Sequence, residues 1–168
     1  MSQVEISYEE LEQEFIEALA DLGSEDLGSE RGVVATSKDD HVTARRMRLL
    51  SDGLTLYGWT IRSSRKAEQI MANPNVAVVV EYIQIDGVAS VKGHPTNEPE
   101  FLGIIRKKLP HRYENMVKKW SAKSDRVVVE IKPKRIALSK YADPTAGIER
   151  GLYVLNIEER KAYRFSIS

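Results

Sequence analysis

Cysteine is absent from all 168 residues. That removes disulfides, thiolate nucleophiles, iron–sulfur clusters and thiolate-bound zinc together. Net charge is absent too, with 25 basic against 25 acidic side chains, so the molecule as a whole has no bulk attraction toward nucleic acid or anionic membrane. Apolar runs are short. The longest, residues 76–80, is strand-sized, far below the about 20 residues a spanning helix needs. The start, Met1-Ser2-Gln3-Val4-Glu5, has neither the basic nor the apolar segment of a signal peptide. Histidine is scarce: His41, His94 and His111 stand apart, without metal-ligand spacing. No glycine pattern of the phosphate-loop or dinucleotide type occurs. These absences predict a cytoplasmic protein without a metal, with no nucleic-acid and no membrane partner.

What is present is an ordinary globular balance, 42% hydrophobic and 30% charged, at a length suited to one domain. Ser7-Tyr8-Glu9-Glu10 has capping-box spacing. Leu11, Phe15, Ala18, Leu19 and Leu22 then follow at helical intervals, so residues 1–30 read as an acidic helix closed by Gly23 and a surface connection. Strands are expected at 31–36, 41–50, 54–59, 76–82, 83–92, 126–131, 135–141, 152–157 and 161–167, the last two forming a C-terminal hairpin within 151–167. The all-apolar run from 76 suggests a strand buried on both faces. Helices are expected at 64–72, anchored by Ile70 and Met71 and stopped by Asn73-Pro74, and after Pro99 and Tyr113. The pattern is mainly β with helices, a barrel core over 32–141 in a single domain of residues 1–168.

Charge is not spread evenly. Residues 1–30 carry ten acidic side chains and no basic one, while 45–66 hold Arg45, Arg46, Arg48, Arg62, Arg65 and Lys66 against Asp52 alone. Arg65 and Lys66 follow Ser63-Ser64 at the start of a helix, where cations cost a few tenths to about 1 kcal/mol. A bound anion would turn the same charges and free N–H groups into an attractive cluster. Period-two alternation puts Arg46 and Arg48 on one face of their strand and Arg45 on the other. A hairpin through 54–59 then brings a strand arginine beside the Ser64–Lys66 turn. An arginine fork, a hydroxyl and two more cations suit a phosphate.

Arg46-Met47-Arg48-Leu49-Leu50, Trp59-Thr60, Ser64-Arg65-Lys66-Ala67, Gln69-Ile70 and Asn73-Pro74-Asn75-Val76 together resemble the FMN-binding split-barrel family of pyridoxamine 5'-phosphate oxidase. The resemblance implies a six-stranded antiparallel split barrel that dimerises, with FMN held between the two copies. It implies that Arg46, Arg65 and Lys66 grip the FMN phosphate with Ser64 assisting. Met47, Arg48 and Leu49, with Trp59 and Thr60, would then lie against the isoalloxazine ring. Tyr82 or Gln84 would take the place of a glutamine that touches the flavin in the family. Two features depart from the oxidase: Ser51 replaces a lysine that helps hold the vitamin phosphate, and the chain ends Tyr163-Arg164-Phe165 in place of an Arg-x-His motif. The resemblance therefore implies an FMN-dependent oxidoreductase for another small molecule. A flavin carrier or redox sensor, a deazaflavin- or haem-holding relative, and a nucleic-acid module built on Arg106-Lys107-Lys108 are the competing readings.

Overall fold

The computed structural model describes residues 2–24 and 31–167, with only the backbone of Arg31. Most of the surface connection expected up to residue 30 lies outside the described residues. The elements are β1 (Gln3–Ile6), α1 (Tyr8–Leu19), β2 (Arg31–Lys38), β3 (His41–Arg48), β4 (Leu50–Asp52), β5 (Thr55–Ile61), α2 (Arg65–Ala72), β6 (Asn75–Val80), β7 (Ile83–Val91), α3 (Pro99–Lys108), α4 (Tyr113–Ser121), β8 (Arg126–Lys140), β9 (Gly151–Asn156) and β10 (Lys161–Ser166). A short 3-10 turn, Pro95–Asn97, precedes α3.

One antiparallel sheet runs β1-β10-β9-β8-β7-β6-β2-β3, and β5 joins β4 to the free side of β8. The mainly-β architecture with helices is as expected, but the sheet has ten strands rather than six. Against the nine strands expected along the chain, three changes give ten. The strand expected at 41–50 breaks at Leu49 into β3 and β4. Residues 3–6 add an edge to the C-terminal hairpin, with Gln3 opposite Phe165. The strands expected at 126–131 and 135–141 are one, β8, which carries Pro133 opposite a register shift at Asp86/Gly87. Gly87 is needed there, because a Cβ would stand 2.9 Å from the Lys132 carbonyl oxygen.

The registers align one interior row across seven strands: Arg45, Val34, Val78, Ile85, Ile136, Leu155 and Ala162. Every member except Arg45 is buried. Helix α1 closes over this face with Leu11, Phe15 and Leu19, while Ala18 turns to solvent. The run at 76–80 alternates rather than being buried throughout: Val76, Val78 and Val80 face in, and Val79 faces out. Tyr82, at the turn that follows, is 82% exposed. A second apolar cluster lies on the other side of β4, β5 and β8, where α3 and α4 cover Leu50, Tyr57 and Val128.

Helix ends explain where the elements stop. The Ser7 hydroxyl accepts from the Glu10 N–H at 3.2 Å, one half of the capping box. The Lys108 ammonium, in the last turn of α3, donates to the Ala20 and Leu22 carbonyls at 2.7 and 2.9 Å, tying α3 to the end of α1. Gly23 turns the chain there with φ +84°, and a Cβ would sit 2.7 Å from the Leu49 carbonyl oxygen. Gly53 has the same handedness, φ +57°, with open space around it. Gly23→Ala should therefore destabilise the fold by ~2 kcal/mol or more and Gly53→Ala by about 1 kcal/mol. Urea melts of the two variants against wild type check the ordering, and equal losses would refute the close-approach argument.

Candidate functional site

Strand β5 leaves the barrel at Ile61, and three residues later Ser64 caps α2. The Ser64 hydroxyl accepts from the Ala67 N–H at 3.4 Å and lies 3.1 Å from the Thr60 hydroxyl. Lys66 folds back over this corner, its ammonium donating to the Thr60 hydroxyl at 3.0 Å. Thr60, Ser64 and Lys66 thus form one contiguous group, with Arg65 exposed beside it. The helix runs as expected over 65–72, but its anchors are Ala67, Gln69 and Ile70, while Met71 is exposed.

The strand arginine that reaches this corner is Arg45. Its guanidinium feels the charge of Arg65, and Lys66 in turn feels the charge of Arg45. Burial holds both below their ordinary pKa, and the neighbouring cation lowers each further. Among the described residues, no carboxylate lies within ion-pair distance of Arg45, Arg65 or Lys66. Three neighbouring cations with hydroxyls and a helix N-terminus, and with only Glu68 as an acid in that first turn, make a site suited to an anion with several oxygens. Arg46 is exposed on the opposite face of β3, paired across the ladder with Val33.

The remaining expected residues divide by face. Met47 and Leu49 are buried in the interior cluster, leaving only backbone for contact. Trp59 points outward, the reverse of Thr60, and packs edge-on to Trp120 at 5.5 Å between ring centroids. Arg48 and Trp59 line an open groove of about 380 Å³ together with Arg112, Asn115, Lys119 and Trp120. Tyr82 and Gln84 are both exposed, at and just after the β6–β7 turn. Ser51 is buried, donating to the Leu19 carbonyl and accepting from the Lys108 ammonium at 2.9 Å. His94 is structural: its ring accepts from the Thr96 N–H at 3.3 Å and its Nε2 lies 2.9 Å from the Lys123 carbonyl oxygen. No group of three or more metal-ligating side chains occurs among the described residues, and no helix there is long and apolar enough to cross a membrane.

Sequence reasoning missed Arg45, Thr36, Thr43 and Gln69. The signal available was Gln69 itself, a polar residue set between Ala67 and Ile70 on the buried side of a short helix.

Comparison with known proteins bears on the family and the fold. The family model described as pyridoxamine 5'-phosphate oxidase matches residues 15–140. General stress protein 26 of Bacillus subtilis is 30% identical over 124 residues, covering 68% of this chain and 82% of that protein. The crystal structure of General Stress Protein 26 from Bacillus anthracis superposes with a TM-score of 0.54 at 25% identity, covering 75% of this chain and 91% of that one. A pyridoxamine 5'-phosphate oxidase-related, FMN binding protein from Nostoc punctiforme shares the fold at a TM-score of 0.62 and 11% identity, over 92% of this chain and 96% of that one.

The depressed Lys66 pKa has a signed consequence. Between its folded value and the ordinary 10.5, the unfolded chain binds more protons, so this residue makes stability rise with pH in that window. Wild type should accordingly gain on Lys66→Met as pH is raised from 8 toward 10.5 in phosphate-free buffer. Chemical denaturation at a series of pH values measures the gap, and a gap that stays constant removes the crowded-cation account.

Proposed function

The chain belongs to the pyridoxamine 5'-phosphate oxidase family, and from that premise we propose that it is an FMN-binding flavoprotein acting as an oxidoreductase on a small molecule other than pyridoxine phosphate. The observation that carries this reading is the cation corner of Arg45, Arg65 and Lys66, without an ion pair among the described residues, beside the Ser64 and Thr60 hydroxyls. Its positive charge and its hydroxyl and ammonium donors suit a ribityl phosphate. Arg65, Lys66 and Ser64 bind the phosphate. Arg46 is kept in the site on the family resemblance alone.

When bound, FMN supplies the hydride or electron chemistry. The chain's own residues orient it and set the charge around it. Backbone groups of Met47 to Leu49 and the outward ring of Trp59 offer the ring a hydrogen-bonding edge and an apolar wall. The groove lining named above contains no histidine or carboxylate.

The active form is proposed to be a homodimer. The outer face of β2, β3 and β6 presents Val33, Val42 and Val79, 40%, 70% and 41% exposed, next to Arg46. An apolar sheet face ending at an open edge strand is suited to pairing with a second copy.

Three measurements test this reading. Hydrogen bonds to charged groups are worth roughly 1.5–3 kcal/mol, so Arg65→Ala or Lys66→Ala should weaken FMN binding by about 10- to 100-fold. Fluorescence titration measures it, and unchanged affinity in both variants removes the corner from the site. Reduced holoprotein mixed with oxygen and candidate acceptors in stopped flow should be reoxidised by at least one; indifference to all of them reassigns the protein as a flavin carrier. Light scattering at micromolar concentration should give twice the 19.0 kDa chain mass, and a monomer would exclude the shared-site arrangement.

A further inference from the structure

Gln69 is 3% exposed, and its amide joins α2 to the β2–β3 hairpin. Its Oε1 accepts from the Thr36 hydroxyl at 2.7 Å, the Thr43 hydroxyl at 2.8 Å and Arg45 Nη2 at 3.2 Å. Its Nε2 donates to the His41 carbonyl at 3.4 Å. A carbonyl oxygen has two lone pairs, so three donors saturate it and fix which way the amide faces. Arg45 is occupied at both ends. Nη1 donates to the Thr36 hydroxyl at 2.6 Å and the Val34 carbonyl at 3.3 Å, and Nη2 also donates to the Thr43 hydroxyl. Four of its five N–H donors are thus spent on protein, so what Arg45 offers a ligand is chiefly its charge, which reaches Arg65 and Lys66.

A fixed, partly buried charge acts over several ångströms where water screens it poorly, and it acts only on a charged ligand. Lys66 lies one helical turn before Gln69, so the amide that holds Arg45 also sets where the first turn of α2 stands relative to the barrel. We propose that Gln69 and Arg45 are positioning residues that make this corner discriminate a phosphorylated flavin from its dephosphorylated form. Arg45 supplies a stationary positive charge, and Gln69 clamps that charge and the helix start into one unit. This rests on the flavin reading above.

The test is binding of FMN and of riboflavin to the full chain as wild type, Gln69→Leu, Gln69→Glu, Arg45→Met and Arg45→Lys. Wild type should prefer FMN. Gln69→Leu and Arg45→Met should lower FMN affinity about tenfold or more while leaving riboflavin affinity unchanged, so the preference collapses. Arg45→Lys, which keeps the charge, should retain more of the preference than Arg45→Met. Gln69→Glu loses the donation to the His41 carbonyl but keeps the three accepting contacts and gains an ion pair with Arg45, so it should still fold by thermal melt, while its added negative charge should reduce the preference. That variant decides the matter if Gln69→Leu does not fold. An FMN-to-riboflavin ratio that stays at the wild-type value in all variants, or an equal loss of both ligands, overturns the proposal while leaving the flavin reading intact. A wild type that binds FMN no better than riboflavin overturns both.

Discussion

A guanidinium stands at the end of a row of buried aliphatic side chains. Val34, Val78, Ile85, Ile136, Leu155 and Ala162 succeed one another across the sheet, and the next inward position on β3 is Arg45. An aliphatic residue there would extend the core at about 1.5–3 kcal/mol. A partly buried cation instead must be hydrogen-bonded to be tolerated there. Thr36, Thr43, Gln69 and the Val34 carbonyl supply those acceptors. Each sits where it does because of this requirement: two threonines on adjacent strands in register, and one glutamine on the buried side of α2. The core gives up apolar area at its margin, and the corner gains a charge that does not move.

From that constraint the rest of the site follows by alternation. Residues 43, 45 and 47 face the interior on β3, and residues 56, 58 and 60 do so on β5, so Thr60 and Arg45 approach the same end of the barrel. The opposite set, Arg46 on β3 and Tyr57 and Trp59 on β5, faces away. Helices α3 and α4 can then cover only the outer side of β5, and they do so with Phe101 and Trp120 against Trp59. The molecule thereby acquires two separate polar regions, a cation corner under α2 and a groove beside Trp59, with the β5 backbone between them. A ligand with a phosphate at one end and a planar ring at the other would use both.

The family, the barrel class, α2 and its serine cap were legible in the sequence because each rests on local signals: turn residues, a capping hydroxyl, a proline stop. What was not legible was which face of β3 turns inward. Arg45 and Arg46 are adjacent and chemically identical, and alternation assigns them to opposite faces without saying which is which. Only the register with Val34, itself fixed by β6 and β7, settles it. The same limit applies to Gln69, whose burial depends on acceptors and donors that arrive from residues 26 to 33 positions away. The broken strand at Leu49 and the edge strand at residues 3–6 were missed for a related reason, since both are defined by partners distant in sequence.

The departures from the oxidase pattern cohere in the same physical terms. Ser51 is not an empty place where a lysine used to be. It is a buried hydroxyl between the Leu19 carbonyl and the Lys108 ammonium, and Lys108 simultaneously holds the end of α1. Restoring a lysine at 51 would bring a second ammonium against the first, in a space that burial already makes unfavourable for one, since Lys108 is held below its ordinary pKa chiefly by desolvation. At the other end of the chain, Arg164 is engaged by Glu149 across the β9–β10 hairpin. In place of the oxidase's lysine and its Arg-x-His motif, these two positions are engaged in tying down α1 and the C-terminal hairpin, so the departure from the oxidase pattern lies in how those elements are held as much as in one missing side chain.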